Sequence, residues 1–361
     1  MKICFIGNNL SMMYRFRGET ITSLVNKGYS VHIICPIKNS EIIFDKKVII
    51  HDLSFKTRKI SIFELINIIY KCRLLLKSIK PNLLISFSLK PIVISLFANL
   101  FLKTPLIAFF SGLGYVFTPK FKWKSLSNYF LKFIGYYASE IVVINDDDLE
   151  LLSKVVNNCP VSLCPGEGIN VKKFNTGDYN QKTIDFLYVG RLIDDKGFNL
   201  FLDAAVNLHA DKDFIFACAG SGYGAKRIDI LFKEKKLNKE SFLYLGYVED
   251  IVELISKSHY LVLPSMREGI PRSLLEAMSI GVICIGTDVP GIRQLIIHNE
   301  TGFLINSPNV SLLTETFLDV HKLSNDEYRN ISNSAKRFIL DNYSQEYVDN
   351  FYSNLIKKYD N

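Results

Sequence analysis

Glu268 and Glu276 frame a stretch, Tyr260 to Gly281 (YLVLPSMREGIPRSLLEAMSIG), whose residue types and spacing could do chemistry. It reads as a buried strand, a polar loop, and a helix opened by Pro271 and closed by Gly281. Glu268 then stands at the loop tip and Glu276 in the second helical turn. Gly269 lets a ligand approach the backbone, and the free N–H groups between residues 270 and 273 point into the same space, a helix start suited to anions or sugar hydroxyls. One carboxylate before the helix and another about 8 Å along it cannot share a scissile bond as a glycosidase pair does. They suit two ends of one long ligand.

Three other strand ends supply matching parts. FLYVGRLIDDKG ends its strand at Gly190 and presents Arg191 and Lys196 ahead of a helix, a pyrophosphate clamp in outline. FIFACAGSGYG ends in Gly220-Ser221-Gly222, a turn that admits close backbone approach, and FLYLGYVED ends in Gly246-Tyr247-Val248, where a flat base could lie against the backbone.

These segments need an α/β framework to hold them. In the N-terminal half, strands are expected at Lys2–Ile6, Ser30–Cys35, Val48–Ile50, Leu83–Phe87, Leu106–Phe110 and Glu140–Ile144, with helices at Gly18–Lys27, Ile62–Ile79, Pro91–Leu102 and Leu126–Tyr137. The first turn has no G-x-G-x-x-G, which argues against a dinucleotide site. Asp146-Asp147-Asp148 is not read as a metal site, because Asn145 is a good N-cap and three acids in a first helical turn meet the favourable end of the helix dipole. Val161–Phe174, rich in Gly and Pro, is read as the link between domains. A second α/β series follows, with strands at Asp185–Val189, Phe214–Ala219, Phe242–Leu245 and Val282–Gly286 and helices at Phe198–Leu208, Ala225–Lys235, Glu249–Ser256 and Gly291–Ile296. The division is 1–165, 166–343, and a segment 344–361 crossing back to the first domain. The fold class is α/β, with two Rossmann-like parallel-sheet domains facing a cleft.

At 361 residues, with 48% hydrophobic and 22% charged content, the chain is an ordered globular protein of two domains. Seven cysteines without a C-x-x-C pair point to a reduced cytoplasmic setting without structural zinc. The net charge of +7 is uneven: residues 1–168 hold 21 Lys/Arg against 11 Asp/Glu, giving +10, and residues 169–361 hold 22 against 25, giving −3. Pro119–Tyr137 sets Lys120, Lys122, Lys124 and Lys132 among aromatic and aliphatic residues, a mixture that fits a membrane surface as well as a core helix with a basic edge. It is too apolar for a nucleic-acid patch. No apolar run reaches the length of a spanning helix.

Taken in order, GRL-x3-KG, G-x-G, G-x-V-x-D and E-G-x-P-x3-L-E-A-M resemble the donor domain of retaining family-4 glycosyltransferases with the GT-B fold, over nearly the whole chain. FSLKP-x-V and the later SGLGYVF look like the branch that builds bacterial capsule and O-antigen units on a lipid carrier, and Ser344–Tyr359 resembles the last helix of these enzymes. The resemblance implies transfer, with retention, of a hexose or N-acetylhexosamine from a nucleotide diphosphate sugar, UDP-linked by preference, to a polyprenyl-diphosphate-linked saccharide at the inner membrane surface. No cofactor or metal is required. Arg191 and Lys196 would hold the donor diphosphate, with Gly220 and Gly222 close by. Glu268 and the backbone of Gly269, Ile270 and Pro271 would hold its sugar. Glu276 would hold the ribose, and Val248 would meet the base. Arg15, Arg17, Lys90 and Gly112 are the acceptor-side candidates. This chain has Tyr223 where the family usually has Pro, Asn8-Asn9 in place of paired glycines, and Ser86, Ser88 and Lys90 in a loop that often carries a His, so no catalytic His is assigned. A non-hydrolysing nucleotide-sugar epimerase and a non-catalytic GT-B partner subunit are the alternatives.

Overall fold

The structure, a computed structural model, describes residues 1–37, 42, 44–55, 61–114, 124–171, 182–209 and 214–360. Lys120, Lys122 and Lys172 to Phe174, all of which enter the sequence reading, lie outside them. The chain divides into two compact units, Met1–Gly168 with Gln345–Asn361, and Ile169–Ser344.

In the first unit the strands are β1 (Lys2–Ile6), β2 (Ser30–Cys35), β3 (Ile49–Asp52), β4 (Leu83–Phe87), β5 (Leu106–Phe110), β6 (Glu140–Val143) and β7 (Val161–Leu163). They form one sheet in the order β3-β2-β1-β4-β5-β6-β7, every pairing parallel. Runs such as LLISF and LIAFF are buried along their whole length, as strands covered by helices on both faces must be. The helices are α1 (Leu10–Asn26), α2 (Ile62–Ile79), α3 (Leu89–Asn99), α4 (Lys124–Tyr137) and α5 (Asp146–Val155). Helix α1 starts earlier than its apolar periodicity suggests because Asn9 caps it, accepting from Met12 N. Asn145 caps α5 in the same way, and Asp148 in its first turn accepts from Leu113 N at 3.0 Å. Burial raises the Asp148 pKa, and the hydrogen bonds from Asn145 and Leu113 work against that shift.

Two sequence expectations change here. Val161–Leu163 is not linker but the last strand of the sheet, paired with β6. Its Gly/Pro character begins only at Pro165, after the pairing ends. Gly291–Ile296 is not a helix but a run of turns. The reason is Gly291, whose φ of 79° lies in the left-handed region and whose Cβ position falls 1.4 Å from the Gly269 carbonyl oxygen. This backbone is shaped to lie against another loop.

The second unit has β8 (Ile184–Val189), β9 (Phe216–Ala219), β10 (Phe242–Tyr244), β11 (Ser258–Leu263), β12 (Ile283–Thr287) and β13 (Gly302–Ile305), in the order β10-β9-β8-β11-β12-β13, again parallel throughout. Its helices are α6 (Phe198–His209), α7 (Ala225–Lys233), α8 (Val252–Ser256), α9 (Arg272–Ser279), α10 (Val310–Val320) and α11 (Asn325–Tyr343). The core is aromatic: Phe186 stacks on Phe317 at 4.1 Å, Phe216 at 5.4 Å and Tyr260 at 5.5 Å. Such rings each bury a large apolar area and fix the separation of sheet and helices.

The chain then returns to the first unit as α12 (Gln345–Lys357), which buries Val348, Tyr352, Leu355 and Ile356. Polar contacts tether it there: Gln345 to Thr20 at 3.1 Å, Lys27 to Ser353 at 2.6 Å, and Lys358 to the buried Glu140 at 3.0 Å.

Gly291→Ala should lower the stability of the second unit by at least about 2 kcal/mol, since left-handed strain adds to a backbone collision. Gly246→Ala, at a φ of 64° with nothing within 4 Å of the added Cβ, should cost only about 1 kcal/mol. Urea unfolding compares the two, and equal losses would rule out the close approach at Gly269.

Candidate active site

β8 and β11 are hydrogen-bonded neighbours at the point where the strand order of the second sheet reverses. Loops leaving the carboxyl ends of two such strands part to opposite sides and open a crevice between them. The loop after β8 carries Arg191 and Lys196; the loop after β11 carries Ser265, Glu268 and Gly269. Lys196 Nζ meets Glu268 Oε2 at 2.6 Å, and Ser265 Oγ donates to Glu268 Oε1 at 2.8 Å. Glu268 is therefore a half-buried acid with both oxygens engaged rather than a solvated loop tip. Arg191, on the same loop as Lys196, is exposed.

The β8 loop is held from beneath. Tyr188, fully buried in the strand, donates its hydroxyl to Arg191 O at 2.8 Å and also reaches Lys196 O at 3.3 Å. Burial, and then the Glu268 charge, raise the Tyr188 pKa, so the hydroxyl stays a donor. The 3-10 turn Asp194–Lys196 is crossed by Tyr223, whose hydroxyl accepts from Asp194 N at 3.0 Å and donates to Asp194 Oδ2 at 2.9 Å. Tyr223 thus fastens the loop that carries Lys196, a task a Pro at this position could not perform.

Gly220 and Gly222 serve packing between loops. Gly220 has a φ of 146°, and a Cβ there would stand 1.8 Å from Gly190 O; one on Gly222 would stand 2.4 Å from Leu192 O. Leu192 N donates to Ser221 O at 3.0 Å and Gly220 N to Gly246 O at 2.6 Å, so the strand-end loops form one backbone-bonded rim. Val248 lies half-buried just beyond Gly246 on that rim.

Helix α9 opens with Pro271 as its N-cap, and Leu274 N and Leu275 N both return to the Pro271 carbonyl. The preceding Ile270 is buried. Glu276 sits one turn further along, where Arg272 Nε donates to its Oε1 at 2.8 Å. Glu268 and Glu276 therefore have separate cations and separate places, as two ends of a long ligand require.

In the first unit the reversal falls between β1 and β4. A recess there is lined by Asn8, Met13, Phe16, Arg17, Ser88 and Ser111 among others. Lys90 and Gly112 adjoin Ser88 and Ser111; Gly112 has a φ of 104° and Lys90 is half-buried at the start of α3. Arg15 is on the exposed face of α1. Arg17 is turned inward, 3% exposed, with its guanidinium 4.9 Å from the Phe87 ring, 4.8 Å from the Phe109 ring and 3.8 Å from Glu167. Burial alone would lower its pKa, but Tyr352 and Glu167 more than offset that and raise it. Its charge is thus taken up by internal partners.

Among the described residues no group of three or more His, Cys, Asp and Glu could hold a metal ion, and no helix is long and apolar enough to cross a membrane. Ser265, Tyr188 and Arg272 escaped the sequence reading. Of these only Tyr188 had a signal in the sequence, its place in the apolar run FLYV of β8, which is buried from Phe186 to Tyr188.

Comparison with known proteins places this geometry. Residues 171–338 match the family described as glycosyl transferases group 1, and residues 2–145 match glycosyl transferase 4-like. Among curated relatives, an Escherichia coli UDP-Gal:α-D-GlcNAc-diphosphoundecaprenol α-1,3-galactosyltransferase is 26% identical over 58% of this chain, which spans 56% of that enzyme's length. A Campylobacter jejuni N,N'-diacetylbacillosaminyl-diphospho-undecaprenol α-1,3-N-acetylgalactosaminyltransferase is 24% identical over 99% of this chain and 100% of its own. The crystal structure of a glycosyltransferase from Rickettsia africae superposes with a TM-score of 0.81 at 16% identity, covering 99% of this chain and 98% of that one, and so shares its fold. With both Rossmann-like units matched in this way, the chain belongs to the group 1, GT4-like glycosyl transferases and has the GT-B fold.

Proposed function

We propose that the protein transfers a hexose or N-acetylhexosamine, with retention of configuration, from a nucleotide diphosphate sugar to a polyprenyl-diphosphate-linked saccharide at the cytoplasmic face of a membrane. The observation that carries the reading is the Lys196–Glu268 pair, set where the second sheet reverses and beside the start of α9. The E. coli and C. jejuni relatives are named for acceptors carried on diphosphoundecaprenol, and the first of them for UDP-galactose. Both names support a lipid-linked acceptor, and the first also supports a UDP sugar as the donor.

In the proposed mechanism sugar transfer leaves a nucleoside diphosphate, so negative charge grows on the bridging oxygen as the glycosidic bond breaks. Lys196, Arg191 and the N-terminal end of α9 supply positive potential at the place where that charge develops, and fixed dipoles lower the barrier because they need not reorganise. No metal is assigned to the step. Before binding, Glu268 neutralises Lys196. When the diphosphate arrives it can take over the ammonium, while Ser265 keeps Glu268 oriented and frees one oxygen for a donor-sugar hydroxyl. Gly269, Ile270 and Pro271 present backbone to the same sugar, and Gly220 and Gly222 keep the rim low enough to admit it. Glu276, oriented by Arg272, accepts from the ribose hydroxyls, and the base lies by Val248. Neither glutamate is cast as an acid/base pair. On the acceptor side Arg15, Lys90 and the backbone at Gly112 remain candidates for phosphate contact, whereas Arg17 braces the floor of the recess from within.

With a panel of UDP-sugars and a polyprenyl-diphosphate saccharide, mass spectrometry should reveal one glycosylated lipid product. Lys196→Ala and Glu268→Ala should each lower kcat/KM at least about 100-fold while circular dichroism shows a folded chain. Full activity in either variant would sink the site assignment, and turnover of donor without acceptor would point to an epimerase instead. Glu276→Ala should weaken UDP binding by about tenfold in calorimetry, the loss of one charged hydrogen-bond acceptor. Unchanged affinity would remove the ribose contact.

A further inference from the structure

Helix α2 is apolar on two opposite faces. Ile68, Cys72, Leu76 and Ile79 point inward and are buried. Phe63 is 81% exposed, Ile66 59%, Tyr70 59% and Leu74 47%, and at 3.6 residues per turn these four form one outward stripe. A surface helix that met only water would carry polar residues there.

The stripe continues onto its neighbours. Arg73 of α2 lies 5.1 Å from the ring of Phe101, which follows α3 and is 77% exposed. Phe97 of α3 meets Phe133 of α4 at 5.8 Å, and Phe133 meets Tyr137 at 4.9 Å. Tyr129 and Tyr136 extend the exposed aromatic surface along α4. Contiguous apolar patches of this kind mark an interaction surface.

The charges around it select the occupant. Lys71 and Arg73 flank the α2 stripe on opposite sides, Lys77 closes its end, and Lys132 lies 6.0 Å from the Tyr129 ring. The three helices hold a single acid, Glu64, and its carboxylate is engaged in the Ser61 capping box. A second copy meeting this face about a twofold axis would bring like charges together. An anionic bilayer offers the complement: apolar depth for Phe63, Ile66 and Leu74, headgroup level for the tyrosine hydroxyls, and phosphates for the flanking lysines and arginine.

We propose that the outward face of α2, Phe101 after α3, and α4 dock the protein on an anionic lipid bilayer. This deepens the reading of a membrane-borne acceptor, and it is tested without sugar transfer. The full chain should co-sediment with equimolar phosphatidylcholine–phosphatidylglycerol vesicles free of any polyprenyl lipid, about tenfold better than with phosphatidylcholine alone. Phe63→Ser/Leu74→Ser and, separately, Lys71→Glu/Lys77→Glu should each cut that partition about tenfold with the unfolding temperature unchanged. All these residues lie on the exposed side of α2, and the charge variant removes no packed side chain. Absence of co-sedimentation, variants that sediment like wild type, or a wild-type dimer that either variant dissociates would overturn the docking surface. Vesicle binding without any transfer activity would leave it standing and sink the proposed reaction instead.

Discussion

The carboxyl edge of the second sheet depends on one ion pair, Lys196 with Glu268, in which Ser265 holds the second carboxylate oxygen. Two charges taken partly out of water are tolerable only when each has its partner and remaining hydrogen bonds are made. That requirement dictates the surroundings. Tyr188 must reach up from β8 to fix the loop carrying Lys196, and Tyr223 must clasp Asp194 across it. Glycines must stand wherever one loop's backbone meets the next, as at Gly220 against Gly190 and Gly291 against Gly269. The result is a rim whose parts are bonded to one another before any ligand arrives, and preorganisation of this sort lets electrostatics act on a transition state.

The first unit solves a different problem with similar means. Phe5, Phe87 and Phe109 line up at the carboxyl ends of adjacent strands, and the Arg17 guanidinium lies over the last two rings. Tyr352 of the returning helix stacks on Phe109 from the end of the chain. A buried guanidinium is held by aromatic faces and by Glu167, so one residue joins α1, the segment leaving the first unit and the segment returning to it. An arginine that looks solvated in a basic sequence is here a brace.

The uneven charge of the chain acquires a location as well. An excess of ten positive charges over residues 1–168 says only that an anionic partner is favoured. Once α2, α3 and α4 are packed side by side, their cations border an exposed apolar surface, and charge and hydrophobicity become one feature.

By itself the sequence determined the α/β alternation, most strand positions and helices such as α2 and α6 to within a residue or two, the caps at Asn145 and Pro271, and the segments that carry the site, but it placed neither β13 nor α10 and α11. These follow from local rules: period-two and period-3.6 patterning, cap chemistry and turn residues act between near neighbours. Only the tertiary structure decided that Lys196 meets Glu268, because the pair requires β8 and β11 to be adjacent in the sheet, and strand order is set by the packing of whole helices. It also decided that Arg17 faces inward, that Gly220 and Gly222 pack against the β8 loop, that the segment opening at Gly291 forms turns instead of a helix, and that Val161–Leu163 joins a sheet edge. For α2 the sequence shows apolar residues all round. Which of them remain outside depends on which face the neighbouring elements cover, a question that no local pattern in the helix can answer.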